Sequence, residues 1–264
     1  MKTNFFNFDN LAILSASLII FISVIIFFYA KNYLTGEKTR LKFLTIIPIL
    51  AISLITTFSA DNIFIMAIAW LMSNLLLIAL IIYKTSWREA VNSGRLVLKN
   101  FIFGFSCLSL GLLIISYMTK SFTISNITAN SDISSSQLML PCTLILIAIF
   151  SQSALYPFHK WLLSSLNSPT PASALMHAGL INGGGIIFAR LSPLFFKVPE
   201  LLTIAFIVGI FSAIIGTFWK LIQANVKLML ACSTMSQMGF MIAQCAMGLF
   251  PAGIAHLFWH GMFK

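Results

Sequence analysis

Residues 152–190, QSALYPFHKWLLSSLNSPTPASALMHAGLINGGGIIFAR, decide how this chain is read. An apolar run lies on each side, a polar segment bracketed by prolines lies between, and two of the four histidines, His159 and His177, lie inside. Pro157, Pro169 and Pro171 each remove a backbone donor and free a carbonyl. Within a bilayer such a break is tolerated only where protein packs around it or where it lines an aqueous cavity. Gly183, Gly184 and Gly185, after Asn182, allow either close helix approach or a local opening. They form no nucleotide loop, since there is no GxGxxG pattern and no Lys-Ser/Thr after them. The stretch therefore predicts a membrane helix interrupted at these prolines and glycines. His159 and Lys160 read as anchors at the membrane border alongside Trp161.

The rest of the chain supplies the membrane context. Hydrophobic residues make up 59% of the 264 positions and charged residues 8%, with a mean hydropathy of +0.98. A soluble domain carries about 25% charged residues, so the composition predicts an all-α, polytopic transmembrane helical bundle. A span needs about 20 mainly apolar residues. On that template spans fall near 11–30, 43–59, 62–83, 100–119, 137–156, 172–190, 199–220 and 226–248, and a ninth begins near Ala252 and is cut at Lys264. Residues 1–264 read as a single transmembrane domain, incomplete at its C-terminus and, from the resemblance described below, at its N-terminus. The first run is long enough to span and lacks a small-residue cleavage site, so it is not read as a signal peptide. The connection 121–137, rich in Ser, Asn and Thr, reads as a solvated outer loop. The connection 84–99 reads either as an amphipathic segment on the membrane or as an ordinary basic loop.

A net charge of +10 would suggest nucleic acid in a soluble protein. Here the basic residues sit in short connections, as topology signals do, and no nucleic-acid partner is expected. One side collects Lys31, Lys38, Arg40, Lys42, Lys84, Arg88, Arg95, Lys99, Lys160, Lys220 and Lys227. The other holds Lys2, Lys120, Arg190 and Lys197. The richer side is assigned to the cytoplasm, which puts the N-terminus outside. Cys107, Cys142, Cys232 and Cys245 are scattered in apolar runs with no CxxC and read as small core residues.

Ionisable groups inside spans are functional candidates because burying them costs several kcal/mol. All six carboxylates fall in loops or at span ends, which argues against a carboxylate relay within the chain. His256, His260 and Lys264 recur at i, i+4 and i+8 and so share one helical face, with about 40° of drift per step. Such a face suits a hydrated proton relay. The alternatives are histidines donating to neighbouring helices with a snorkelling lysine, and, more weakly, zinc, for which no third ligand is near. Lys227 opens a run whose Ser233, Thr234, Ser236 and Gln237 can hydrogen-bond between helices or hold water.

At these motifs the chain resembles a known family. PFHKWL (157–162), SPTPASALMHAG (168–179), VKLMLACSTMSQMGFM (226–241) and HLFWHGMFK (256–264) resemble the antiporter-like subunits shared by respiratory complex I (its L-type subunit) and Mrp cation/proton antiporters. FDNLAILS (8–15) looks like that family's third helix. INGGGIIFARLSPLFF (181–196) and MGFMIAQCAMGLF (238–250) resemble the DabB branch, membrane subunits of energy-coupled inorganic-carbon uptake systems of the bacterial inner membrane. The resemblance implies a flux of protons or sodium along His177, Lys227, His256, His260 and Lys264. It also implies a peripheral, zinc-binding DabA-like partner that hydrates CO2 to bicarbonate, with no cofactor and no catalysis in this chain. Two positions depart from the complex I pattern. Leu71 follows Trp70 where that pattern has glutamate, and Gln152 stands where it has lysine. A redox-coupled pump is thereby disfavoured. A complex I or Mrp antiporter subunit remains the alternative in the same class, and a non-conducting membrane anchor for a catalytic partner the alternative in another.

Overall fold

The computed structural model describes residues 5–130 and 133–263. In chain order the helices are α1 (Asn10–Tyr33), α2 (Arg40–Ser59), α3 (Ile63–Ile81), α4 (Arg88–Thr119), α5 (Ile124–Ala129), α6 (Ser135–Gln152) and α7 (Lys160–Ser164). They continue with α8 (Thr170–Ala178), α9 (Gly183–Arg190), α10 (Ser192–Phe195), α11 (Pro199–Leu221), α12 (Val226–Ala246) and α13 (Phe250–Phe263). Eight segments are long and apolar enough to cross a bilayer: α1 to α4, α6, α8 with α9, α11 and α12. They coincide with the eight spans expected from hydropathy. Lipid offers the backbone no hydrogen-bonding partner, so helices are the economical solution for such a sequence. Among the described residues extended pairing is limited to two isolated bridges, Phe6 with Ala60 and Asn62 with Thr123.

Small residues set the closest helix contacts, as expected where lipid tails compete equally for apolar side chains. A Cβ added at Gly209 on α11 would sit 2.7 Å from the carbonyl of Gly239 on α12, and one at Gly216 would sit 2.8 Å from the nitrogen of Ser236. Between α4 and α6 the same role falls to Gly111, whose Cβ would meet the carbonyl of Pro141 at 2.8 Å.

Polar residues pin the two ends of the bundle. At one end Asp9 caps α1 by accepting from the Ala12 amide at 2.8 Å and pairs with Arg190 at 3.1 Å. Arg190 also donates to the Phe58 carbonyl at 2.6 Å, so α1, α2 and α9 end on one clamp. At the other end Lys84 meets Glu37 at 2.6 Å in an exposed pair. That hydrogen bond holds the Lys84 ammonium above its ordinary range.

Several expectations need correction. Residues 88–99 form neither a surface-lying segment nor a loop. They are the first turns of α4, 32 residues long and continuous with its span. The connection 121–137 is not simply solvated. It folds into α5, which buries Ile124 and Ile127, and Asp61 accepts from both the amide and the hydroxyl of Ser125. Trp161 and His159 are not border anchors. Trp161 is buried, donates its indole N–H to the Ser151 carbonyl at 2.9 Å and packs edge-on against Phe101. His159 is buried between Tyr156 and Trp219.

Candidate functional site

The interruption is really two interruptions that meet. The first follows α6: the chain leaves helical geometry at Ser153–His159, with Pro157 inside, before α7 resumes. The second separates α8 from α9. Gly179 leaves the helix with φ −113° and ψ −76°, and Leu180–Asn182 make one 3-10 turn. Pro169 and Pro171 do not break this helix; they start it, as N-cap and second helical residue. Proline is tolerated there because the first-turn N–H groups lack intrahelical partners anyway. Gly183–Gly185 likewise lie in the first turn of α9. Their role is close approach: a Cβ on Gly184 would lie 2.9 Å from the Ile149 carbonyl of α6. Glycine here lets the two broken segments touch.

Gln152, the last residue of α6, joins the breaks. Its Nε2 donates to Asn74 Oδ1 on α3 at 3.1 Å and to the Leu180 carbonyl at 3.3 Å. Gln152, Asn74 and Asn182 are all at most 2% exposed. Asn182 Nδ2 donates back to the Ala178 carbonyl at 2.8 Å. Asn182 Oδ1 and Ser153 Oγ, both buried, have no protein hydrogen-bond partner. Buried unsatisfied oxygens cost about 1–3 kcal/mol each, so this node can receive a water or an ion at low cost. Where the complex I pattern sets a lysine near a glutamate, this chain has an amide bonded to an amide and a carbonyl. Leu71, at the glutamate position, adds no charge.

A polar seam lies beyond this node, where α12 packs on α13, α13 touches α8, and a hydrogen bond links α8 to α12. His177, buried on α8, holds its Nδ1 3.0 Å from Thr234 Oγ1 of α12. Thr234 Oγ1 also lies 2.9 Å from the Leu230 carbonyl, where its single proton can go. The ring nitrogen and the hydroxyl share one hydrogen bond, whose direction follows the imidazole tautomer. Lys227, seven residues before Thr234 and so on nearly the same face of α12, donates its Nζ to the Ser168 carbonyl at 3.1 Å. His256 and His260 of α13 line one cavity of about 460 Å³ with Ser233, Gln237, Trp259 and Phe263. Ser233 and Thr234 are consecutive and so point about 100° apart on α12, one into the cavity of the α13 histidines and the other towards His177. The structure thus brings His256 and His260 together, as their spacing implied, and sets Lys227 and the Thr234 partner of His177 on another face of α12. Lys264 lies outside the described residues.

Sequence reasoning passed over Asn74. Its signal was available: a lone amide inside the apolar run IFIMAIAWLMSNLLLIALI of α3 requires a partner in the membrane. The 3-10 turn at Leu180–Asn182 left no comparable mark, since the prolines drew attention to the wrong end of the segment.

The comparisons agree with this architecture. The family model described as NADH:quinone oxidoreductase/Mrp antiporter, TM, matches residues 60–264. The protein named probable inorganic carbon transporter subunit DabB of Bacillus subtilis (strain 168) is 32% identical over 97% of this chain and 51% of its own length. The chloroplastic NAD(P)H-quinone oxidoreductase subunit 5 of Buxus microphylla is 29% identical over 97% of this chain and 36% of its own. A chain in the structure of the Mrp complex from Dietzia sp. DQ12-45-1b superposes with a TM-score of 0.90 at 24% identity, covering 97% of this chain and 29% of that one. The chain spans about half the length of the DabB proteins it matches. With its bundle, its paired helix breaks and its polar seam, it belongs to the NADH:quinone oxidoreductase/Mrp antiporter transmembrane family.

Proposed function

We propose that this chain is part of the membrane subunit of an inorganic-carbon uptake system of the DabB type. It lies in the bacterial inner membrane with its N-terminus outside, in keeping with the crowding of basic residues on one side. Protons or sodium pass along the seam of His177, Lys227, His256, His260 and Lys264. Their flow drives a peripheral DabA-like zinc protein, in which CO2 is hydrated, and this chain itself catalyses nothing. The observation that carries the reading is the neutral node. Gln152 is committed to Asn74 and Leu180, so the centre lacks the charge pair that a redox-coupled pump would have to switch. Relatives named DabB support the same direction.

The test is to express the full-length gene with a DabA-like partner in a host lacking carbonic anhydrase. Growth in air that a protonophore or sodium depletion abolishes, and that His260→Ala impairs, supports the reading. The likeness to an Mrp chain favours a second reading, cation/proton exchange. It predicts cation-driven proton movement in vesicles without any partner. Rescue that is indifferent to ionophores and to His260→Ala would instead mark a non-conducting anchor.

A further inference from the structure

We infer that a cavity between α4 and the break before α7 is a binding site for the headgroup of an acidic phospholipid. The cavity measures about 380 Å³ and is lined by Leu96, Lys99, Asn100 and Phe103 of α4, together with Pro157, Phe158, Lys160 and Trp161. It lies outside the seam and depends on none of its residues.

Depth comes first. Residues 100–119 of α4 carry no charge between Lys99 and Lys120. Twenty residues at 1.5 Å make about 30 Å, the thickness of the hydrocarbon core. With Lys120 at one interface, Lys99 reaches the other, and any tilt of α4 is covered by its flexible four-carbon stem. Lys160 lines the same cavity from the opposite wall.

Charge comes next. Both lysines are exposed to the surroundings of the bundle, and the ion pairs of the described residues, Lys84–Glu37 and Arg190–Asp9, include neither. Two ammonium groups sharing one cavity at the membrane edge repel each other in a medium of reduced dielectric. An anion between them removes that penalty. The neutral donors of the lining are already committed: Asn100 Nδ2 donates to Ser151 Oγ at 2.9 Å, and Trp161 donates to the Ser151 carbonyl at 2.9 Å. Recognition is therefore left to the two ammonium groups, which select net negative charge over a zwitterion.

The apolar half of the site fits the rest of the molecule. Phe103 and Phe158 stack at 5.7 Å, and Phe103 is 46% exposed towards the lipid. Ammonium groups above and the exposed Phe103 ring below match a phosphate followed by an acyl chain. Basic pockets between transmembrane helices bind acidic headgroups on these terms. Because Pro157 and Phe158 belong to the break itself, a lipid seated here braces the backbone five residues from Gln152.

The experiment is lipid counting by native mass spectrometry on the purified chain in neutral detergent. Titrants are dioleoyl-phosphatidylglycerol, dioleoyl-phosphatidylcholine and inorganic phosphate. The wild type is expected to retain phosphatidylglycerol, and neither phosphatidylcholine nor phosphate should match it. Lys99→Gln/Lys160→Gln should bind phosphatidylglycerol about thirty-fold more weakly, from the weight of two lysines at an acidic membrane surface. Lys99→Arg/Lys160→Arg should keep it, as should Lys220→Gln, which changes a lysine outside the cavity. Undiminished binding by the glutamine pair, or equal retention of phosphatidylcholine, overturns the site. Phosphate binding as tightly as phosphatidylglycerol overturns its assignment to a lipid. If the glutamine pair does not fold, the arginine pair and the phosphatidylcholine comparison still decide.

Discussion

Replacing Gln152 by leucine tests the central node directly. Leucine keeps most of the volume but removes Nε2, which donates to Asn74 Oδ1 and to the Leu180 carbonyl at 3.1 and 3.3 Å. Both acceptors belong to residues at most 1% exposed, so no solvent replaces the lost donor. Interhelical hydrogen bonds in membrane proteins contribute about 0.6 kcal/mol on average and up to about 1.7, and an orphaned buried acceptor costs about 1–3 kcal/mol. Two weakly bonded acceptors therefore place the loss on the order of 2 kcal/mol. For a chain of this size that corresponds to a fall of about 4–8 °C in melting temperature, read by tryptophan fluorescence or circular dichroism in detergent. Gln152→Lys provides the contrast. An amine, charged or neutral, can donate to the same two oxygens, so the lysine variant should melt above the leucine variant. A double-mutant cycle with Asn74→Ala should show coupling of about 1 kcal/mol. Melting of Gln152→Leu within about 1 °C of wild type, melting of Gln152→Lys below it, or strict additivity with Asn74→Ala would each refute the node as described.

Thr234→Val removes the oxygen that faces His177 Nδ1 at 3.0 Å while keeping the shape. Carbon-dependent growth should fall about tenfold, the upper range for a neutral hydrogen bond, and Thr234→Ser should restore it. Arg190→Met deletes the bonds to Phe58 and Asp9; on the order of 3 kcal/mol of stability should go, seen as faster proteolysis of the segment before α1. Asp9→Asn should cost less, because Asp9 is 41% exposed. Gly239→Ala drives a Cβ to 2.7 Å from the Ala213 nitrogen and should destabilise by at least about 2 kcal/mol, measured as lost monodispersity on size-exclusion chromatography.

Hydropathy alone was enough for the crossings, because a span of twenty apolar residues has few alternatives in a chain this poor in charge. It could not locate α4's true start. Arg88, Arg95 and Lys99 look like loop residues, yet a helix continues through them once its other face packs Ala90, Ser93 and Val97. The His256/His260 pair was legible because helical periodicity alone puts both on one face. The node was not. Its bonds join residues 78 and 28 positions apart in sequence, and nothing local to Gln152 names Asn74 or Leu180. Trp161 was misread for a related reason: an aromatic residue beside lysine near a span end looks like an interface anchor until the Ser151 carbonyl claims its N–H.

The break between α8 and α9 also has an electrical side. Each half-helix carries its own macrodipole, so the negative end of α8 and the positive end of α9 face each other beside Gln152. The centre of the protein is thus neutral in formal charge but not in potential. Such a field has a fixed sign, needs no proton to switch it on, and does not vanish when the medium turns acid or alkaline. That part of the potential is set by backbone orientation, and no side-chain substitution at Gln152 can erase it.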